Sequence, residues 1–167
     1  MKKSNYKNAV IWIAKFLDKN KIKFHFMGGL AAHVYGSKIR YTDIDLAMDL
    51  KDMNKLSRLA KPYVLEKLWC GASSNKIWTG YIMKLRYEGI IIDVTEAKNT
   101  KIFNKKVGKY ERFPADVQHP TIKKVFGLNV PVMPKKNLVY YKSILLFPHD
   151  KLDLKYLKWI KPNFSKS

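Results

Sequence analysis

The sequence predicts an α+β fold, a mixed sheet of four to five strands with flanking helices. Apolar residues recur at helical spacing near both ends of the chain, and short β-branched or aromatic runs lie between them. An apolar content of 47% over 167 residues is sufficient for one core. Since no repeat or linker interrupts the chain, we expect a single domain over residues 1–167, with C-terminal helices from about residue 135.

The N-terminal elements follow from capping and glycine positions. Ser4 is a favoured N-cap residue, and the apolar side chains after it predict a helix to about residue 20. The apolar run 24–27 predicts a short strand, because Gly28 and Gly29 permit a tight turn directly after it. Small residues over 30–35 then predict a second helix.

The middle of the chain contains a third helix and a hairpin. Asp52 is a candidate N-cap for a helix that Pro62 ends, and residues 69–75 indicate turns. Two strands joined at a Glu-Gly turn are expected over 80–95. Residues 96–120 are polar and basic and favour loops.

The C-terminal third predicts one more strand and two helical segments. Residues 130–133 form a short apolar run that prolines bound, which predicts a last strand. Residues 136–146 have helical spacing, and a second helical segment follows over 149–157.

Two alternating aspartates are the most informative feature of the sequence. In a strand, Asp43 and Asp45 point to one face while Ile44 and Leu46 point into the core. Two neighbouring carboxylates repel each other unless a divalent cation lies between them, and oxygen ligands suit Mg²⁺. The pair therefore predicts a metal site.

The Gly28-Gly29 pair lies fifteen residues upstream of these aspartates. Backbone N–H groups at the start of the following helix would face an anion, and a phosphate would fit there. Glycine pairs and Asp-x-Asp are each common in turns and caps. The order strand, Gly-Gly, helix, Arg40, Asp-x-Asp is much more specific.

A third carboxylate is expected at Asp93, which follows the apolar run Ile90-Ile91-Ile92. A carboxylate buried there needs a cation or hydrogen-bond donors. A strand-end aspartate bonded to loop amides is the alternative interpretation. Glu96 is the fallback third carboxylate, although three residues further along a strand it would face the opposite side.

These motifs resemble the nucleotidyltransferase superfamily of the DNA polymerase β type, in particular its small single-domain members. The family pattern is an apolar residue, Gly-Gly or Gly-Ser, a spacer, Asp-x-Asp/Glu and a third carboxylate on a later strand. Here Met27-Gly28-Gly29, Asp43-Ile44-Asp45-Leu46 and Asp93 match it, with Arg40 and Thr42 before the aspartates. Gly29 replaces the serine found in many relatives.

The resemblance implies a nucleotidyltransferase fold that transfers NMP from an NTP to an acceptor hydroxyl and releases pyrophosphate. It implies two Mg²⁺ ions held by Asp43, Asp45 and Asp93, and a triphosphate cradled by Gly28 and Gly29. Arg40 and Lys142 would offset the phosphate charge.

Lys142 and the following run Asp150 to Leu154 resemble a lysine and a Lys-Asp-x-x-Asp-Leu-like segment of minimal family members. From the residues alone, Asp150 is as well explained as a helix cap, and Asp153 as a surface partner of a neighbouring lysine.

A net charge of +20 favours a polyanionic partner, and all but four of the 33 basic residues are lysines. We therefore expect an RNA acceptor, in particular the tRNA 3′ end. The alternatives are a small aminoglycoside-like acceptor, or a non-catalytic module that binds nucleic acid or a toxin–antitoxin partner. One cysteine, no signal-peptide core and no apolar run of membrane-spanning length predict a cytoplasmic protein without membrane contact.

Overall fold

The computed structural model describes residues 3–73 and 76–157, and it confirms the α+β fold class. The described residues form one mixed sheet of nine strands rather than four to five. The helices are α1 (Lys3–Lys19), α2 (Gly28–Val34), α3 (Leu50–Leu59), α4 (Lys135–Leu145) and α5 (Pro148–Tyr156). The strands are β1 (Phe24–Phe26), β2 (Ile44–Met48), β3 (Val64–Ala72), β4 (Trp78–Tyr87), β5 (Ile90–Glu96), β6 (Lys101–Asn104), β7 (Lys109–Arg112), β8 (Thr121–Val125) and β9 (Leu128–Val132).

The sheet order is β7-β6-β4-β5-β2-β1-β9-β8, and β3 also pairs with β4. Most neighbours are antiparallel, whereas β2 runs parallel to β5 and β1 parallel to β9. The β2–β5 register places Asp45 directly opposite Asp93. This pairing brings two distant segments of the chain to one point of the sheet.

The two faces of the sheet have different covers. On one face, Trp12 of α1 stacks on Tyr87 of β4 with ring centroids 4.2 Å apart. On the other face, Tyr141 of α4 packs against Trp78 of β4 with centroids 5.6 Å apart. Side chains alternate along β4, so Lys84, which pairs with Asp93, lies on the α4 side.

Four strands were not predicted: β3, β6, β7 and β8. Residues expected to form turns from position 69 belong to β3 as far as Ala72, and the rest of that segment includes positions outside the described residues. The basic segment after residue 96 contains the β6–β7 hairpin. Asp49, not Asp52, occupies the N-cap position of α3.

None of the helices in the described part of the chain is long and apolar enough to cross a membrane.

Candidate active site

Three aspartates converge where the start of β2 lies beside the middle of β5. Asp45 lies within β2, Asp43 directly precedes that strand, and Asp93 lies opposite Asp45 in β5. One carboxylate oxygen from each residue lies within 4.8 Å of the others. The parallel register and the extended chain before β2 therefore form a three-carboxylate cluster.

The repulsion within the cluster is visible in the pKa values. Burial, followed by the charges of Asp43 and Asp93, raises the pKa of Asp45 to about 7. Burial also raises the pKa of Asp93 to about 6, against the opposing effect of Lys84. Without a cation, these groups take up protons far above the usual range for aspartate.

Gly28 makes this crowding possible. A Cβ atom at this residue would lie 1.8 Å from Oδ2 of Asp45, and its φ of +59° is in the left-handed region. Any side chain at this position would therefore displace the carboxylate. The backbone N–H of Gly29 donates to Asp45 and lowers its pKa slightly against the dominant effect of burial.

Lys142 lies on the wall of the site in a buried ion-pair cluster. Its Nζ is 2.7 Å from Oδ1 of Asp150 and 2.7 Å from Oδ2 of Asp153, and its side chain is 2% exposed. Burial by itself lowers the pKa of Lys142, but the two carboxylates outweigh it and raise the pKa overall. Ser37 donates to Oδ1 of Asp153 and connects the cluster to the segment after α2.

The carboxylates open into a cavity of about 460 Å³. Its walls include every residue that the sequence analysis proposed for the site: Gly28, Gly29, Arg40, Asp43, Asp45, Asp93 and Lys142. Arg40 is exposed, in contrast to the buried Lys142. The cavity therefore has one accessible cation and one enclosed cation beside the carboxylates.

Glu96 is not part of the cluster. It is fully buried at the C-terminal end of β5 and accepts hydrogen bonds from the backbone N–H groups of Lys98, Asn99 and Thr100. The fallback assignment is therefore wrong, because this carboxylate serves a turn. The loop-amide interpretation considered for Asp93 applies to Glu96 instead.

Two tyrosines with structural roles at the site were not identified from the sequence. The Tyr6 hydroxyl donates to the backbone carbonyl of Asp43 at 3.1 Å, and its ring packs on Tyr41 with centroids 4.9 Å apart. Tyr141 forms part of the cavity wall. No local pattern distinguishes them from other core aromatics, because their partners are distant in sequence.

The cluster fits a divalent metal. It contains three oxygen ligands in close reach, and burial together with the neighbouring carboxylates raises the pKa values of Asp45 and Asp93, an effect that a bound cation would oppose. Carboxylates alone, without histidine or thiolate, are the donor set that Mg²⁺ prefers.

We expect the Asp45→Asn variant to be more stable than the wild type in EDTA at pH 8. The folded-state pKa of about 7 exceeds the unfolded value of 3.8, so ionisation destabilises the fold increasingly from pH 4 to pH 7. Because Asp45 is half-buried, we expect a gain of about 1–2 kcal/mol at pH 8 and a smaller gain at pH 5. Urea denaturation at both pH values measures it.

The surface variant Asp18→Asn is the matched control, and its effect should be small at both pH values. A loss of stability in Asp45→Asn that is equal at pH 5 and pH 8 would instead assign this side chain a structural hydrogen-bonding role.

Comparison with known proteins gives similarity at the level of structure. Neither a family model nor a curated protein matches the sequence. TM1012 of Thermotoga maritima, assigned as a nucleotidyltransferase, is 18% identical with a TM-score of 0.70, over 95% of this chain and 94% of that chain. The lincosamide antibiotic adenylyltransferase LnuA, solved with lincomycin, is 17% identical with a TM-score of 0.56, over 91% and 96%.

A third similar structure is ANT(2″)-Ia in complex with adenylyl-2″-tobramycin. It is 13% identical with a TM-score of 0.58, over 91% of this chain and 89% of that chain. The protein therefore has the fold of solved nucleotidyltransferases.

Proposed function

We propose that this protein is a metal-dependent nucleotidyltransferase that transfers NMP from an NTP to an acceptor hydroxyl, most favourably at the 3′ end of an RNA. The observation that carries the proposal is the convergence of Asp43, Asp45 and Asp93 at a cavity beside Gly28 and Gly29. Three converging carboxylates beside two residues that lack side chains suit a metal-bound triphosphate.

The chemistry follows from the positions of the carboxylates. Asp43, Asp45 and Asp93 would hold two Mg²⁺ ions, which neutralise phosphate charge and favour the ionised acceptor hydroxyl. The acceptor oxygen bonds to the α-phosphorus while the bond from that phosphorus to the bridging oxygen breaks. Pyrophosphate leaves with the bonding electrons. Asp93 would hold the second metal and help to deprotonate the acceptor hydroxyl.

The triphosphate side is assigned to Gly28, Gly29 and Arg40. Both glycines line the cavity and have no side chains of their own, so phosphate oxygens can approach the backbone closely. Arg40 is exposed on the cavity wall and offers a fork of donors to phosphate. Lys142 remains in its ion pairs with Asp150 and Asp153, where it offsets part of their negative charge within the wall.

An RNA acceptor is supported by charge close to the cavity as well as by the net charge. The β6–β7 hairpin continues the sheet from Trp78 of the cavity wall. It contains four exposed lysines: Lys101, Lys105, Lys106 and Lys109. Lysines contact phosphates as point charges, so this surface would bind the RNA backbone with little dependence on sequence.

A small aminohydroxyl acceptor is the second candidate, and the similar structures favour it. LnuA and ANT(2″)-Ia were solved with lincomycin and adenylyl-2″-tobramycin respectively. A cationic acceptor would bind best in a cavity with a net negative charge. Here Lys142 offsets one of the two charges of Asp150 and Asp153, Arg40 adds a second positive charge to the wall, and the bound metals would compensate the three-carboxylate cluster, so the cavity retains little acidic character.

The proposal is tested by incubating the protein with each α-labelled NTP, Mg²⁺ and total tRNA. We expect label on RNA from at least one NTP. We also expect tRNA binding to weaken steeply between 50 and 200 mM salt, because each phosphate contact releases counterions. Filter binding measures the affinity.

Two outcomes would replace this proposal. Label on an aminohydroxyl compound but on no RNA would assign the small-molecule activity. If the protein binds tRNA but neither binds Mg²⁺-NTP nor labels any acceptor, it is a non-catalytic nucleic-acid-binding module.

A further inference from the structure

An exposed tryptophan lies on the sheet next to the candidate active site. Trp69 belongs to β3, and 39% of its surface is exposed. It pairs with Ile82 of β4, which lines the cavity. The chemistry proposed above leaves this side chain without a role.

An irregularity in β3 determines which face Trp69 occupies. Glu66 pairs with Lys84 and Trp69 pairs with Ile82, so three steps along β3 match two steps along β4. A regular register would turn Trp69 to the opposite face, because side chains alternate along a strand. The extra residue instead places it on the face of Lys84, which pairs with Asp93.

The indole of Trp69 extends towards a row of the sheet that has no side chains. Gly71 pairs with Gly80 in the next row. A Cβ on Gly71 would lie 2.2 Å from Cζ3 and 2.9 Å from Cε3 of Trp69. The edge of the six-membered ring therefore lies beside Gly71, where any side chain would collide with it, and part of the indole remains exposed to a ligand ring.

Trp69 is at a suitable distance from the reacting centre. It lies two strands from β5 and one side-chain row from Asp93 on the same face. Strand spacing and rise give a Cα–Cα separation of about 12 Å. A nucleotide can bridge this distance when its sugar hydroxyl lies near Asp93 and its base lies near the indole.

We propose that Trp69, given room by Gly71 and turned towards the site by the β3 bulge, is the stacking platform for the terminal nucleobase of the RNA acceptor. This inference rests on the proposed function for its choice of ligand. A tryptophan face binds any base by stacking, independently of sequence. It would thereby complement the exposed lysines of the β6–β7 hairpin, which would bind the RNA backbone.

The test measures binding without chemistry. Two 5′-labelled RNA trinucleotides of the same sequence are compared by fluorescence anisotropy in Mg²⁺, one with its 3′-terminal base and one with an abasic 3′ ribose. Wild type should bind the first about 10-fold or more tightly than the second. Trp69→Ala should bind both with the affinity that wild type has for the abasic RNA, and Trp69→Phe should keep most of the preference.

Phe126→Ala is the matched control. Phe126 is an aromatic residue of similar exposure, 41%, in the β8–β9 turn at the far side of the sheet. This variant should discriminate between the RNAs as wild type does.

Equal binding of the two RNAs by wild type, or discrimination that persists in Trp69→Ala, would overturn the platform. Failure of the proposed function is a separate result. If wild type discriminates but labels no RNA from any NTP, the platform stands and the transfer reaction is wrong. If wild type labels RNA without discriminating, only the platform is wrong.

Discussion

Asp45→Asn is expected to lower nucleotidyl transfer by at least about 1,000-fold while leaving tRNA affinity within about twofold of wild type. Asp45 lies at the centre of the cluster, opposite Asp93 and against Gly28. An amide cannot supply the negative charge that holds the cation. The exposed lysines that would bind RNA are unchanged, so affinity and chemistry should separate.

Initial rates with saturating NTP and filter binding with tRNA provide the two measurements. Asp18→Asn removes a carboxylate from the exposed side of α1 and should retain full activity. Transfer by Asp45→Asn at more than a tenth of the wild-type rate would contradict the metal-ligand role.

Lys142→Met is expected to lower the free energy of unfolding by about 3–5 kcal/mol at pH 7. The variant keeps much of the side-chain volume but leaves Asp150 and Asp153 buried without their cation. Among the described residues, the two carboxylates would keep the backbone N–H of Phe147 and the hydroxyl of Ser37 as donors, and His149 Nε2 lies 3.6 Å from Asp150. Urea denaturation followed by circular dichroism measures the loss.

A triple variant separates charge from packing. Adding Asp150→Asn and Asp153→Asn to Lys142→Met removes the uncompensated charges, so it should recover a large part of the lost stability. Lys151→Met changes an exposed lysine of α5 and should have an effect below about 0.5 kcal/mol. If the triple variant is less stable than Lys142→Met alone, the buried charges do not explain the loss.

The sequence predicted the site residues best where a local pattern was enough to assign them to a strand. Alternation in the strand after Asp43 and the Glu88-Gly89 turn were sufficient to place Asp45 and Asp93 on strands, and both lie there. Their exact opposition depends on the parallel β2–β5 register, which no local pattern determines. Glycine at position 28 was predicted for its turn, whereas its close approach to Asp45 is a tertiary fact.

The missed elements have identifiable physical reasons. The register shifts in β3 break the two-residue alternation by which a strand is recognised, and its glycine favours a turn assignment. The lysines of β6 and β7 made this segment read as a polar loop. The hairpin has few apolar contacts that would have indicated strands, such as Phe103 against Tyr110. The strand count was therefore too low although the fold class was right.

The surroundings of Lys142 also depend on tertiary contacts that the sequence does not reveal. The family resemblance implied that this lysine lies near the phosphates, and the structure places it in the cavity wall. Its two acidic partners lie on α5, which is separated from α4 by a turn at Leu146 with a φ of +50°. From the residues alone, Asp150 was explained as a helix cap and Asp153 as a surface partner of a neighbouring lysine. Asp150 does accept from the backbone N–H of Phe147 at the start of α5, and both carboxylates also pair with the buried Lys142.

The opposition of Asp45 and Asp93 also bears on how the protein folds. The two residues are 48 positions apart in sequence, and they meet only when β2 docks against the β4–β5 hairpin. Long-range parallel pairing of this kind is slow compared with hairpin closure. A divalent ion that needs both carboxylates would bind the native chain and not the early hairpin, and so would slow unfolding more than it speeds refolding.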